Sequence, residues 1–253
     1  MTDKTPALAE WHDIRVAFSL LTRLPVPVDH ARAGERGARA AWAYPLVGTA
    51  LGALAGMLAA IALWLGAPAG MAAALALATL ATATGGMHED GLADFADAMG
   101  GQTREQRLEI MKDSHIGAFG AIALTLALLA RWSGIVPLSG WDMILDLAAV
   151  GTISRAGMVV AMAELRNARK TGLSAATGRP TQGTLLMALG IALAATLALT
   201  GFGGLYLFVI GLAGTLPVLW LAERTLGGQT GDVLGAAQQC AEIAALAALI
   251  ALA

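Results

Sequence analysis

No acidic or basic side chain occurs between Gly183 and Ala222, and that uncharged stretch constrains the fold more than any other feature. About 20 apolar residues, range roughly 17–25, cross a bilayer as a helix. The stretch is therefore too long for one crossing. It is interrupted at "TGFGG", where Gly201, Gly203 and Gly204 allow a tight reversal. Two spans follow, about 183–200 and 203–222. Further apolar segments at about 44–65, 68–86, 117–137, 143–163 and 234–252 bring the expected number to seven.

Composition supports a bilayer as the solvent. Of the 253 residues, 57% are hydrophobic and 13% charged, with a mean hydropathy of +0.67. Soluble domains average about 25% charged residues, so this chain has too few charges to cover a surface in water. A net charge of −2 argues against nucleic acid as a partner, because a phosphate-binding surface carries a basic surplus. The one cysteine, Cys240, lies in an apolar run; no internal disulfide and no thiolate metal site can form, and a small buried residue is expected. The segment "MTDKTPALAEWHD" is polar, and no cleavable signal peptide is expected there. The expected fold is all-α: a polytopic bundle forming a single membrane domain over residues 1–253.

Charge placement tests the span count. With the N-terminus inside, the inner segments are 1–43, 85–116, 164–182 and 223–233, and they contain 14 of the 16 lysines and arginines. Arg155 falls in the inner half of the fourth span and Arg131 towards the outside. Positive residues favour the cytoplasmic side, so the loops at 85–116, 164–182 and 223–233 are expected there. In "WHDIRVAFSLLTRLPVPV", Trp11, Ile14, Phe18 and Leu21 recur at helical spacing. The segment is too short to span and reads as an interfacial helix stopped by Pro25 and Pro27. Gly48, Gly52 and Gly56, four apart, predict close helix packing.

The densest negative charge is "GGMHEDGLADFADAMGG", residues 85–101, with Glu89, Asp90, Asp94 and Asp97 and no lysine or arginine. If the second span continues as helix past Gly85 and Gly86, Asp90, Asp94 and Asp97 share one face and Glu89 lies about 100° aside. Like charges at that spacing repel. A divalent cation is the economical neutraliser, and carboxylates without clustered Cys or His suit Mg²⁺ or Mn²⁺. A solvated acidic face is the plainer alternative; the shared face, the lack of interleaved lysine and the bracketing Gly pairs weigh against it. His88 reads as a hydrogen-bonding neighbour. Downstream, Arg104, Arg107 and Lys112 supply positive charge for a polyanionic substrate, and Asp113 could add a carboxylate. "ELRNARKTGLSAATGRPT" interleaves Arg166, Arg169, Lys170 and Arg179 with Gly and Ser, as a phosphate-gripping loop or as a topological anchor. "GGQTGD" sets Thr230 two residues before Asp232 in a glycine-rich loop suited to binding. No GxxxxGK[ST] and no GxGxxG is present. A carboxylate–metal centre ringed by basic loops is equipment for phosphoryl transfer.

"TRLPVP" (22–27), "YPLVG" (44–48), "GGMHEDGLADFADAMGG" (85–101), "LEIMKDSHIGAFG" (108–120) and "LGGQTGDVLGA" (226–236) occur in this order along the chain. Together they resemble the cobalamin synthase family of adenosylcobinamide-GDP ribazoletransferases, bacterial inner-membrane enzymes. The resemblance implies a reaction: the 3′-hydroxyl of α-ribazole, or of its 5′-phosphate, attacks the cobinamide-linked phosphate of adenosylcobinamide-GDP, and GMP leaves. It also implies Mg²⁺ on Glu89, Asp90, Asp94 and Asp97. One of these carboxylates, or Asp113, would deprotonate the hydroxyl, with Asp94, Asp97 and Asp113 the foremost candidates. Arg104, Arg107 and Lys112 would hold the phosphates, with Arg166, Thr230 and Asp232 in the adjoining loops. His115 stands where the family pattern leads one to expect arginine. A homo-oligomer and association with other corrinoid enzymes are compatible with this reading, as are lipid contacts. Two alternatives fit less well. A phosphotransferase for nucleotide-activated lipids would show "DGxxAR", but "LADF" follows Asp90-Gly91 here. A transporter would place Arg155, Asp146 and Glu242 along a pathway and often shows an internal repeat, and none is visible.

Overall fold

Glycine lets two of the long helices touch backbone to backbone. The computed structural model describes residues 7–252, and every regular element among them is helical. The polar N-terminal part forms α1 (Trp11–Leu21), α2 (His30–Arg36) and a 3₁₀ turn leading into α3 (Tyr44–Trp64), the first long apolar helix. Then come α4 (Ala69–Thr84), α5 (Met87–Ala98), α6 (Arg104–Ile110), α7 (Ala118–Ile135) and α8 (Asp142–Glu164). The remainder is α9 (Leu173–Thr177), α10 (Gln182–Thr200), α11 (Gly203–Ala213), α12 (Leu216–Leu226) and α13 (Gly231–Leu252). A Cβ on Gly48 would lie 2.0 Å from the Gly151 carbonyl oxygen, and one on Gly52 the same distance from that of Leu147. The expected small-residue stripe is thus the surface on which α3 and α8 pack antiparallel, with Thr49 and Thr152 hydroxyls bonded across it at 2.6 Å.

Among the described residues six helical stretches are long and apolar enough to cross a membrane; α4 and α5 pass that test only together, across a sharp bend. The six match expected spans, and α4 stands at the place of the second; α11 and α12 form one of the six, broken at Gly214–Thr215. Helices α8 and α13 are mostly buried inside the bundle. Helices α7, α10 and the α11–α12 pair present large apolar side chains outward, among them Leu126, Leu129, Leu186, Val209 and Trp220. In lipid such exposure needs no aqueous cover.

The structure corrects one local expectation. The second span does not continue as helix past Gly85 and Gly86. Both glycines adopt left-handed φ of 70°, and α5 leaves α4 at 88°. Gly85 is the left-handed residue that ends α4, a conformation only glycine takes at little cost, and a Cβ there would meet Arg23 Nε at 2.3 Å. The shared face survives because Asp90, Asp94 and Asp97 all belong to α5.

Helix α1 forms where expected and ends at Leu21, ahead of Pro25. Its Trp11 is 88% exposed while Asp13, Ala17 and Leu21 turn inward. Asp13 accepts from Arg36 Nε at 2.7 Å and Nη2 at 2.6 Å, and from Trp42 Nε1 at 2.8 Å. Burial alone would raise its pKa, but these donors outweigh burial and hold it below the ordinary value. This ion pair ties α1 to the segment entering α3.

Candidate active site

Two glycines bring the acidic helix onto α13. A Cβ on Gly91 would sit 2.9 Å from the Asp232 carbonyl oxygen and 3.0 Å from its Cα; one on Gly235 would meet the His88 carbonyl oxygen at 3.1 Å. Helix α5 therefore lies against the first turns of α13. Asp232, in the first turn of α13, becomes a near neighbour of Asp90 and Asp94, 140 residues away in sequence. Thr230 caps this helix: its hydroxyl accepts from Val233 N at 3.3 Å and donates to Asp232 Oδ2 at 3.1 Å.

The Asp90 and Asp94 side chains make no hydrogen bond or ion pair with any described residue. Burial, and then the charges of Asp90, Asp232 and Asp97, raise the Asp94 pKa to about 7, against a smaller opposing pull from Arg169. A carboxyl half-protonated at neutral pH among other carboxylates marks a site short of positive charge. Among the described residues no group of three His, Cys, Asp or Glu side chains is arranged to hold a metal ion as it stands. The donor chemistry nevertheless fits a hard cation, because Asp90, Asp94 and Asp232 offer uncommitted carboxylate oxygens.

The other two expected ligands have partners in the fold. Asp97 accepts from Gly117 N at 2.7 Å and Gly120 N at 2.8 Å, capping the start of α7. A Cβ on Gly117 would lie 2.4 Å from Asp97 Oδ1, and one on Gly120 2.3 Å from its Oδ2, so the glycines of "IGAFG" make room for that cap. Glu89 Oε1 accepts from Arg131 Nη1 at 2.8 Å and Gln239 Nε2 at 3.1 Å, while its Oε2 is buried without a partner. Arg131 also bonds Glu242 through Nε at 2.8 Å, and Arg155 reaches Glu242 at 3.3 Å. Gln238 donates to Glu242 at 2.5 Å. Arg131, Arg155 and Glu242, each at most 2% exposed, thus form with Glu89 a charge-balanced network inside the bundle. The pairing accounts for Arg131, which departs from the inner-basic pattern: its charge is met inside the protein. It also gives Arg155 and Glu242 a packing role in place of a pathway.

The basic candidates separate into three groups. Arg104 donates to the Leu226 and Ala168 carbonyls at 2.7 and 2.6 Å, and Arg107 to the Thr225 carbonyl at 3.5 Å. These two fasten α6 to the neighbouring inner loops. Lys112 is exposed and bonded to Glu109 at 2.8 Å. It borders, with Asp113, a different cleft beside Gly100 and Gln106. Asp113 and His115 bond each other at 2.6 Å; the contact holds Asp113 below its ordinary pKa and raises His115, which favours the cationic imidazole at the position where arginine was expected. Arg166 is exposed, its carbonyl accepting from Gln229 N at 2.7 Å. Arg169, which the sequence did not separate from its basic neighbours, is the cation in the cleft lined by Asp90, Asp232, Thr230 and Gln229. Its Nη2 donates to the Leu108 carbonyl at 2.8 Å and its Nε is unpartnered.

That cleft is held together by a two-loop clasp. Asn167 and Gln229 form a parallel bridge, with Ala168 N donating to the Gln229 carbonyl at 2.8 Å. Gln229 and Asn167 side chains bond at 3.0 Å, and Ser174 donates to Gln229 at 2.8 Å. Gly228, at φ 148°, permits it, since a Cβ there would lie 2.0 Å from the Arg166 carbonyl oxygen. The sequence signal was the glycine density of "GGQTGD", which marked a binding loop without its partner.

Comparison with known proteins adds an independent finding. Residues 13–250 match the family model described as cobalamin-5-phosphate synthase. Proteins named adenosylcobinamide-GDP ribazoletransferase are similar over nearly their whole length. That of Bradyrhizobium diazoefficiens is 43% identical over 238 residues, covering 92% of this chain and 91% of the relative. That of Sinorhizobium medicae is 39% identical over 254 residues, covering 94% and 96%. That of Azorhizobium caulinodans is 41% identical over 247 residues, covering 92% and 93%. No solved structure matches the chain.

Proposed function

Because the chain belongs to the cobalamin-5-phosphate synthase family, we propose that its carboxylate cleft joins adenosylcobinamide-GDP to α-ribazole, or to α-ribazole 5′-phosphate, with release of GMP. The enzyme is a multi-pass membrane transferase of cobalamin biosynthesis. The 3′-hydroxyl oxygen of the ribazole forms a bond to the cobinamide-linked phosphorus. The bond from that phosphorus to the bridging oxygen breaks, and the oxygen departs with GMP. The hydroxyl proton passes to a carboxylate.

The observation that carries this reading is the meeting of Asp90 and Asp232 with Arg169 in one cleft, with Asp94 close enough to feel all three charges. Asp90, Asp94 and Asp232 would hold Mg²⁺. Bound there, Mg²⁺ supplies neutralisation of charge on the phosphate oxygens. Arg169 lines the cleft, and its planar guanidinium suits a grip on the diphosphate. Asp94 has uncommitted oxygens and takes the proton; Asp113, exposed and engaged with His115, lies in the other cleft. Asp97 and Glu89 position α5 by fixing it to α7 and α13. The basic residues in its loops support a cytoplasmic position for this end of the bundle, in a bacterial inner membrane. The test is GMP release from adenosylcobinamide-GDP by the chain in liposomes, dependent on α-ribazole and on Mg²⁺. Release of CMP from a CDP-activated lipid, with no GMP, would refute it.

A further inference from the structure

Beside the carboxylate cleft lies a second cavity of opposite character. It is an open-mouthed cavity of about 60 Å³ between α1, α3, α5, α8 and α13, with α9 over it. Its walls are mainly Leu20, Met158, Met162 and Leu234, with the Tyr44 and His88 rings among them. His88 is 1% exposed and its Nε2 has no partner among the described residues. Met87, Ser174 and Gly231 line both this cavity and the cleft of Asp90, Arg169 and Asp232. A ligand seated in the cavity therefore lies beside the cleft.

Four ring systems belong to the reaction: guanine, the adenine of the adenosyl group, the corrin and the dimethylbenzimidazole of α-ribazole. Guanine and adenine carry donors and acceptors along much of their edges, and an apolar lining would leave them unpaired at a cost. The corrin bears amide side chains around its whole rim and meets the same objection. A glycosylated dimethylbenzimidazole is apolar except for one ring nitrogen, and its two methyl groups prefer apolar walls. We propose that this cavity is the acceptor subsite: it holds the dimethylbenzimidazole ring between Met158, Met162 and Leu234, with Tyr44 and His88 as the polar edge, and directs the ribose 3′-hydroxyl towards Asp90 and Asp94. The assignment rests on the reaction proposed above. Methionine suits the role, since its flexible thioether packs closely on flat aromatic faces.

The test uses the full chain in liposomes, with two readouts: equilibrium binding of α-ribazole without donor, and GMP release. Met162→Trp fills the cavity and should raise the α-ribazole Kd at least about 10-fold, the loss expected for excluding a buried aromatic ring, while adenosylcobinamide-GDP binding changes less than about 2-fold. In the unaltered protein, the riboside of unsubstituted benzimidazole should show a KM about 10-fold above that of α-ribazole, for two methyl groups no longer buried. Met162→Ala should narrow that preference, and this arm remains should Met162→Trp fail to insert. Loss of donor binding instead of α-ribazole binding in Met162→Trp would overturn the assignment. So would equal KM values for the two ribosides in the unaltered protein. Failure of the reaction reading looks different: no GMP release at all from unaltered protein that still binds α-ribazole and loses it in Met162→Trp.

Discussion

Gly91→Ala adds one methyl group, and its effect follows from the packing of α5 on α13. The added Cβ would lie 2.9 Å from the Asp232 carbonyl oxygen, about 0.5 Å short of the 3.4 Å at which ordinary contact begins. Both obstructing atoms belong to the backbone of Asp232, so no side-chain rotation relieves the clash. The helices must part by roughly half an ångström, or tilt. Overpacking of this kind costs about 1–3 kcal/mol, which lowers the unfolding midpoint without preventing assembly. The effect on chemistry is larger in proportion, because the shift moves Asp90 and Asp94 away from Asp232. A misplacement of about 1 Å can cost on the order of 100-fold; half of that predicts about 10-fold in kcat/KM for GMP release. Gly190→Ala is the control, since nothing lies within 4 Å of its Cβ; it should leave kcat/KM unchanged. Assays of both variants in liposomes, with thermal unfolding in detergent alongside, decide the matter. A folded Gly91→Ala enzyme with unaltered kcat/KM would show that the contact between α5 and α13 does not set the geometry of the cleft.

Asp90→Asn and Asp94→Asn should each abolish turnover while the protein still inserts, whereas Asp97→Asn should act mainly on stability, by about 1–2 kcal/mol for a weakened cap; activity and unfolding midpoints of the three variants separate the roles. Arg169→Gln should lower kcat/KM for the GDP-activated donor about 10- to 150-fold, the worth of one charge-assisted hydrogen bond, and Lys112→Gln and Arg166→Gln by less, as donor-saturation kinetics would reveal. The Asp94 pKa, about 7 in the ion-free fold, lies above its unfolded value. The folded state then binds more protons than the unfolded one, so stability in chelator should fall as pH rises from about 4 to about 7 and level off above. Added Mg²⁺ must displace that proton; the rise in unfolding midpoint that it produces should be greater at pH 8 than at pH 6, as a pH series of melting curves with and without the ion would show.

The local sequence determined everything that depends on near neighbours. Long uncharged runs had to become membrane helices, because backbone polar groups in lipid are satisfied only within a helix. The clustering of lysine and arginine in four segments predicts the orientation of those helices, and Gly48, Gly52 and Gly56 announced a close contact without its partner. The acidic stretch announced a site, because repeating carboxylates without lysine is costly unless something answers it. Contacts between distant segments were decided only by the fold. Asp232 joins Asp90 and Asp94 because Gly91 and Gly235 let two helices approach, and no local pattern links residues 91 and 235. Asp97 and Glu89, indistinguishable in the sequence from their acidic neighbours, differ from them because backbone amides of α7 and the Arg131 guanidinium meet their oxygens. Arg169 stands apart from Arg166 for the same kind of reason: of the two, it is the one that lines the carboxylate cleft. Residue type and spacing fix which charges exist and on which face of a helix they lie. Which of them are neutralised by the protein, and which remain for a ligand, depends on packing between segments from 20 to 150 residues apart.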